Sequence, residues 1–180
     1  MSTETQNERE LVIVSLYPRD MNIYGDRGNV LALARRAQAH GFTPRVVEVN
    51  PGDPMPETVD IVLGGGGQDS GQGRVAIDLA ARAEELRGLA DDGVPMLMIC
   101  GLFQLFGHRF VTHAGDELTG IGVLDVETRG GEERMIGNIV LESSEFGEIV
   151  GYENHSGVTV LGPGSVPLGR VLQGAGNNPT

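Results

Sequence analysis

The sequence contains no lysine and only one cysteine, and these two scarcities exclude several kinds of chemistry. All 13 cationic side chains are arginines, so no lysine amine is present for Schiff-base chemistry or for a phosphate-binding loop of the G-x-x-x-x-G-K-[ST] type. The single cysteine, Cys100, excludes an internal disulfide framework and a cysteine-rich zinc site. The thiol of Cys100 is therefore either a packed core side chain or a reactive group.

Long apolar segments and an excess of positive charge are also missing. No stretch approaches the roughly 20 apolar residues of a membrane-spanning helix. Residues 1–9 are polar and lack the apolar core of a signal peptide, so we expect a disordered tail on a cytoplasmic protein that is not inserted in a membrane. The net charge of −12 argues against nucleic-acid binding, because phosphate contacts need a basic surface. The histidines do not show metal-ligand spacing, and no metal site is expected.

The first hundred residues alternate buried apolar runs with amphipathic segments. Four runs bounded by turn residues predict strands: Leu11–Tyr17, Thr43–Val49, Val59–Leu63 and Met96–Ile99. Between them, one helix is predicted from an Asp26 cap to Gly41 and a longer one over Gly73–Ala90. This alternation is typical of an α/β fold with a flavodoxin-like, doubly wound and mostly parallel sheet.

The C-terminal part follows a different pattern, in which short strands are separated by glycine turns. The predicted strands are Ile121–Val126, Asn138–Leu141, Val158–Leu161 and Arg170–Gln173. The sequence shows no linker and no internal repeat. Residues 10–180 are therefore predicted to form one domain with a β-rich C-terminal half.

Two features follow predicted strands and carry candidate chemistry. Cys100 precedes Gly101 at a strand-to-helix turn, where a helix N-terminus stabilises a thiolate and supplies N–H groups to an oxyanion. The run Gly64–Gly67 follows another strand, and such glycines let the backbone approach a ligand. Because ligands bind beyond the carboxyl ends of parallel strands, we expect both features to face one crevice. A structural cysteine and a dinucleotide loop are the alternatives, although the G-x-G-x-x-G spacing is absent.

Six motifs occur in order along nearly the whole chain, from Leu11 to Asn178. They are Tyr24-Gly25-Asp26-Arg27-Gly28-Asn29, Gly64-Gly65-Gly66-Gly67-Gln68-Asp69, Cys100-Gly101-Leu102-Phe103-Gln104, Arg134-Met135-Ile136-Gly137-Asn138, Tyr152-Glu153-Asn154-His155-Ser156-Gly157 and Gly176-Asn177-Asn178. Together they resemble the class I glutamine amidotransferases of the cobyric-acid-synthase type. Within that family, the sequence is most similar to the stand-alone glutaminase subunits of lipid II isoglutaminyl synthases.

The resemblance implies a mechanism of covalent catalysis. Cys100 would attack the side-chain amide of L-glutamine, form a thioester and release ammonia. The oxyanion would be held by the backbone amides of Gly101 and of the glycine loop at Gly65 and Gly66.

The resemblance also implies two substrate-binding residues. Arg134 matches the arginine that holds the substrate glutamine, for which a bidentate guanidinium–carboxylate contact is suited. Gln104 matches the family's glutamine on the helix after the nucleophile. A solvated turn arginine and a packing or capping glutamine are the alternatives.

A partner subunit is implied by the same resemblance. Ammonia would pass to a separate Mur-ligase-like, ATP-dependent subunit in a heterodimer that amidates the D-glutamate of lipid II. ATP and Mg²⁺ would bind to that partner, which would also supply the acidic member of the triad, and this chain would need no cofactor. The alternatives are a glutaminase for cobyric or cobyrinic acid amidation and a non-hydrolysing redox or scaffold protein of the same fold.

Two positions depart from the family pattern. The family usually reads Cys-Gly-Gly-Tyr-Gln, whereas Leu102 stands at the second glycine, where its side chain is expected to strain the turn or narrow the pocket. The family's general base is a His in a Leu-His-Gly segment after Gly-Asn-Asn, and the sequence ends at Thr180. We therefore expect a C-terminally truncated chain without its general base. His155 lies in a turn that relatives also have beside their catalytic His, so we do not assign it as the base.

Overall fold

The computed structural model describes residues 9–23, 25–67 and 69–178, with the backbone alone at 69–71. Residues 1–8 of the predicted tail, Tyr24, Gln68 and the last two residues lie outside this range. The chain divides into two compact units, residues 1–102 and 103–180, which are described separately below. No helix in the described ranges is long and apolar enough to cross a membrane.

The first unit alternates strands with helices, as predicted. Its elements are β1 (Arg9–Leu16), α1 (Arg27–Ala39), β2 (Phe42–Val49), β3 (Ile61–Gly64), α2 (Asp69–Ala81), α3 (Ala83–Asp91) and β4 (Met96–Met98), and α4 (Gly101–Phe106) follows at the boundary. The four strands form one parallel sheet in the order β2-β1-β3-β4. This order is the flavodoxin-like one. For such a sheet the general preference for right-handed crossovers predicts α1 on one face and α2 with α3 on the other. The predicted fold class is confirmed.

The sheet of the first unit is covered on both faces. Residues 12–16 of β1 are buried in succession, which requires packing on both sides of the strand. Ile13 packs against Val30 of α1 and Leu63 of β3. Each side chain of this size contributes roughly 1.5–3 kcal/mol when it is fully buried. Arg9, assigned from the sequence to the tail, is already paired with Phe42 of β2.

The predicted long helix over 73–90 is wrong in two respects. It begins at Asp69, and it is divided into α2 and α3 at Arg82, whose φ of −103° and ψ of 13° depart from helical values. The guanidinium of Arg82 bonds Asp78 at 2.7 Å and the carbonyl of Asp53 at 3.2 Å, so the break coincides with tertiary contacts of this side chain. The sequence places Val75, Leu79, Ala83, Leu86 and Ala90 on one apolar face. The first four are buried, whereas Ala90 is partly exposed.

The second unit is a mixed sheet dominated by one long hairpin. Its strands are β5 (Arg109–Val111), β6 (Glu117–Thr119), β7 (Val126–Ser143), β8 (Gly147–Leu161) and β9 (Arg170–Gln173). The order is β6-β5-β7-β8, and β9 pairs with β7. The β7–β8 pair is antiparallel, and its register shifts between Gly130 and Met135. The predicted β-rich C-terminal half is confirmed.

Individual strands of the second unit differ from the predictions. The predicted strand 121–126 is a loop up to Val126, and β5 and β6 were not predicted. Strands 138–141 and 158–161 are short parts of β7 and β8. The part of β7 before residue 138 includes Gly130, Gly131, Glu132 and Glu133, a composition typical of a turn. Backbone pairing with β8 on both sides of the register shift, up to Gly130 and again from Met135, keeps this segment within one strand.

Candidate active site

Cys100 occupies a sharp turn between β4 and α4. Its φ is 52°, a left-handed conformation that non-glycine residues adopt at a cost of order 1–3 kcal/mol. The residue before it, Ile99, donates its amide to the carbonyl of Gly64 at 2.9 Å, which ties the turn to the end of β3. The side chain is exposed. A strained strand-to-helix turn with an exposed side chain is the geometry that presents a nucleophile.

The glycine run lies against this turn, as expected from the sequence. Leu102 donates its amide to the carbonyl of Gly65 at 3.3 Å. A Cβ placed on Gly101 would lie 3.2 Å from the amide nitrogen of Gly67, so the two backbones are in contact. Among the described residues, neither the amide of Gly67 nor the amide of Gly101 donates to a protein acceptor. Two N–H groups without an acceptor beside an exposed thiol are suited to stabilise an oxyanion.

Close backbone approach explains why the run consists of glycines. A Cβ on Gly65 would lie 2.5 Å from the carboxyl carbon of Asp26 and would overlap the carbonyl of Met21. A Cβ on Gly67 would overlap the Met21 sulfur and lie 2.9 Å from the carbonyl of Asp20. The segment after β1 therefore packs directly on the glycine loop, and larger residues would separate them.

Gly66 is held by the same segment. Its amide donates to Oδ2 of Asp26 at 3.0 Å, and its carbonyl accepts from the amide of Ile23 at 3.2 Å. The sequence predicted Asp26 as the cap of α1, and this prediction is wrong for the side chain. Asp26 makes no capping hydrogen bond, whereas Oδ1 of Asn22 accepts from the amide of Arg27 at 2.8 Å. The motif around Asp26 was recognised in the sequence, but no local signal links it to Gly66.

Leu102, the departure from the family pattern, lies in the interior beneath the turn. Its side chain is fully buried and packs over Gly64 and beside Met98. Gly64 makes room for it, because a Cβ there would overlap Leu102. The branched side chain is therefore a packing group under the turn.

A second left-handed residue, Tyr17, directly follows β1. Its φ is 55°, and its hydroxyl donates to Asp78 at 2.6 Å. Asp78 also accepts from Arg82 at 2.7 Å and from the amide of Gly52 at 2.8 Å. Burial, followed by the bond to Asp78, raises the pKa of Tyr17 well above its ordinary value. Burial opposes ionisation of Asp78, but the bonds from Arg82, Tyr17 and Gly52 outweigh it and lower its pKa.

Both predicted substrate-binding residues lie in the second unit. Arg134 is exposed on β7, beside the register shift, and its Nε donates to Oδ1 of Asn154 at 2.8 Å. Gln104 is partly buried on α4, and its Nε2 lies 3.4 Å from the position of a Cβ on Gly157. Both residues therefore contact the segment 152–157 that the sequence analysis singled out.

His155 is engaged at both ring nitrogens. Nδ1 lies 3.2 Å from the carbonyl of Gly157, and Nε2 lies 3.3 Å from Oε2 of Glu153. Glu153 is buried and also accepts from the amides of Ala175 at 2.7 Å and Gly176 at 2.8 Å. The Ala175 bond contributes most to lowering the pKa of Glu153, and burial opposes it. This cluster anchors the Gly-Asn-Asn motif, a role that the sequence did not indicate.

Cys100, Gly65, Gly66 and Gly101 are thus brought together in the first unit. In the second unit, the segment 152–157 includes His155 and is contacted by Arg134 and Gln104.

Comparison with known proteins gives a consistent assignment. The CobB/CobQ-like glutamine amidotransferase domain matches residues 12–180. Subunit GatD of the lipid II isoglutaminyl synthase (glutamine-hydrolyzing) of Staphylococcus aureus is 39% identical over 94% of this chain and 69% of its own length. The same subunit of Streptococcus pneumoniae is 40% identical over 94% of this chain and 66% of its own length. A cobyric acid synthase of Pelotomaculum thermopropionicum is 34% identical over 73% of this chain and 28% of its own length. This chain belongs to the family of CobB/CobQ-like glutamine amidotransferase domains.

Proposed function

We propose that this chain is the glutaminase subunit of a two-part amidotransferase. The observation that carries the proposal is the exposed Cys100 at a left-handed turn, with the glycine loop against Gly101. The Cys100 sulfur bonds to the side-chain carbonyl carbon of L-glutamine, and the C–N bond breaks as the nitrogen gains a proton and leaves as ammonia. Water then cleaves the thioester, which releases glutamate and restores the thiol.

For the oxyanion we propose the amides of Gly101 and Gly67. The family resemblance implies Gly65 and Gly66, but the Gly66 amide already donates to Asp26. The Gly67 amide nitrogen lies beside Gly101 and has no acceptor among the described residues. Two converging backbone donors stabilise the charge that develops on the oxygen, and each is typically worth about 10²–10³ in rate.

Arg134 is proposed to bind the α-carboxylate of glutamine. Its Nε is committed to Asn154, which holds the guanidinium in one orientation and leaves the terminal nitrogens to the substrate. Gln104 is proposed to support the segment 152–157 through its contact with Gly157. The general base is not assigned to His155, because both of its ring nitrogens already face oxygen acceptors.

The ammonia is proposed to pass to a Mur-ligase-like, ATP-dependent partner in a cytoplasmic heterodimer that amidates the D-glutamate of lipid II. The two relatives named as subunits of lipid II isoglutaminyl synthase support this acceptor. ATP and Mg²⁺ are assigned to the partner, because a chain without lysine has no Walker-type loop. Cobyric or cobyrinic acid is a second candidate acceptor, supported by the similarity to cobyric acid synthases.

Ammonia release from glutamine by the protein in complex with its ATP-dependent partner tests this function. Cys100→Ser is the matched control, because it keeps the size and the turn but weakens the nucleophile. In parallel, 6-diazo-5-oxo-norleucine should add covalently to Cys100 at neutral pH, as read by intact mass. If neither ammonia nor an adduct forms, while iodoacetamide alkylates the denatured chain, Cys100 is a structural residue and the proposal fails.

A further inference from the structure

We propose that Asp26 is a positioning residue for this reaction, which clamps the Gly66 peptide groups and so directs the Gly67 amide towards the oxyanion. The proposal rests on the glutaminase function given above. It concerns the motif at residues 24–29, to which that function assigns no task.

The clamp consists of two hydrogen bonds that act on two successive peptide planes. Asp26 accepts from the amide of Gly66 at 3.0 Å, which orients the plane between Gly65 and Gly66. The amide of Ile23 donates to the carbonyl of Gly66 at 3.2 Å, which orients the next plane. That second plane also contains the amide of Gly67. Because a trans peptide is planar, its N–H points opposite to its carbonyl, so the bond to Ile23 directs the Gly67 N–H to the other side.

The clamp is needed because the loop consists of glycines. A run of glycines has access to both left- and right-handed conformations at little cost, and an oxyanion donor is effective only when its direction is set beforehand. With both planes held, the two backbone dihedrals of Gly66 are determined. The Gly67 amide nitrogen is then placed 3.2 Å from the Cβ position of Gly101.

The carboxylate of Asp26 is available for this task because a neighbour takes over helix capping. The amide of Arg27 is satisfied by Asn22, so α1 begins without help from the Asp26 side chain. The Asp26 carboxyl carbon would lie 2.5 Å from a Cβ on Gly65, and it therefore packs as well as bonds against the loop. A residue of this size with an acceptor oxygen is required at this position.

Three variants separate positioning from folding. Asp26→Ala removes the acceptor. Asp26→Asn retains an oxygen that can accept from Gly66. Asp91→Ala is the matched control, an exposed aspartate at the end of α3 in the same unit. Should the Ala variant unfold on thermal melting, Asp26→Leu removes the acceptor while it keeps a side chain branched at Cγ like that of Asp.

For each variant in complex with the partner, kcat and KM for ammonia release are measured, together with two rates of Cys100 modification. One is covalent labelling by 6-diazo-5-oxo-norleucine, and the other is alkylation of Cys100 by iodoacetamide, which forms no oxyanion. For Asp26→Ala we expect kcat for ammonia release to fall about 10²-fold with KM within about threefold of wild type, since a misplaced catalytic group costs about this much. Labelling by the glutamine mimic should fall at least about tenfold, with alkylation by iodoacetamide unchanged.

The conservative variant decides the interpretation. Asp26→Asn should restore kcat to within about threefold of wild type, because the hydrogen bond is retained at lower strength. Equal kcat in wild type and a folded Asp26→Ala or Asp26→Leu would overturn the proposal and leave the glutaminase function intact. Parallel loss of both labelling rates would show a general structural role and would also overturn it. No ammonia and no adduct in wild type would overturn the function and this proposal together.

Discussion

The carboxylate of Glu153 accepts a hydrogen bond of 2.8 Å from the amide of Gly176. A second bond, from the amide of Ala175, and the ring of His155 complete the environment of this buried side chain. Strand β8 is thereby joined to the Gly-Asn-Asn motif. These bonds connect two of the six motifs found in the sequence.

Glu153→Gln should destabilise the protein at neutral pH and make its stability less dependent on pH in the acid range. The Gln side chain turns an NH₂ group towards one of the two amides, and leaving a buried donor unsatisfied costs about 1–3 kcal/mol. The pKa of Glu153 is lowered in the folded state, so its stabilisation is present above the ordinary value of 4.5 and is lost as the pH falls below it. Urea unfolding at pH 7 and pH 4 measures both effects.

Glu148→Gln is the matched control for this experiment, because Glu148 is exposed on the same strand. Its effect should stay within about 0.5 kcal/mol. Identical unfolding curves for the two variants at both pH values would contradict the assigned role of Glu153.

Cys100→Gly should be more stable than Cys100→Ala. The left-handed φ of 52° is unfavourable for any L-residue with a Cβ. Glycine lacks the Cβ and avoids this conformational cost, which is about 1 kcal/mol. Ala80→Gly on the exposed side of α2 is the opposite control, since glycine in a helix costs about 1 kcal/mol. Thermal or urea unfolding of the three variants measures the signs. A Gly variant less stable than the Ala variant at position 100 would show that the turn is not strained.

Asp78→Ala should be among the most destabilising polar substitutions in the first unit. It removes the acceptor of Tyr17 and leaves the charge of Arg82, whose side chain is 11% exposed, without its carboxylate. Breaking such a pair costs about 3 kcal/mol or more. Tyr17→Phe removes one donor only and should cost about 1 kcal/mol. Urea unfolding measures the loss of stability in each variant. If Asp78→Ala loses no more stability than Asp91→Ala, the prediction is wrong.

His155→Ala should leave the reactivity of Cys100 unchanged. Both ring nitrogens of His155 face oxygen atoms, of Gly157 and Glu153, so neither is directed to accept a proton from a thiol. We expect the rate of labelling by 6-diazo-5-oxo-norleucine to stay within about twofold of wild type. Loss of a general base would instead lower the rate by about 10²–10⁴, the typical contribution of general-base catalysis. A loss of tenfold or more, with folding retained, would identify His155 as the base.

Much of the first unit was determined by the sequence alone. Apolar runs bounded by turn residues predicted all four strands of the parallel sheet, because a buried strand has apolar residues at consecutive positions. The glycine run and Cys100 were predicted to lie together, because the carboxyl ends of parallel strands share one edge of the sheet. The contact between Gly101 and Gly67 agrees with that argument.

Only the tertiary structure decided which side chains support that site. Asp26 and Gly66 are 40 residues apart, and Tyr17 and Asp78 are 61 apart, so no local periodicity relates them. The helix break at Arg82 and the length of β7 depend in the same way on distant partners. Local patterns determine which elements form, whereas hydrogen bonds between segments far apart in the chain determine how a flexible glycine loop is oriented.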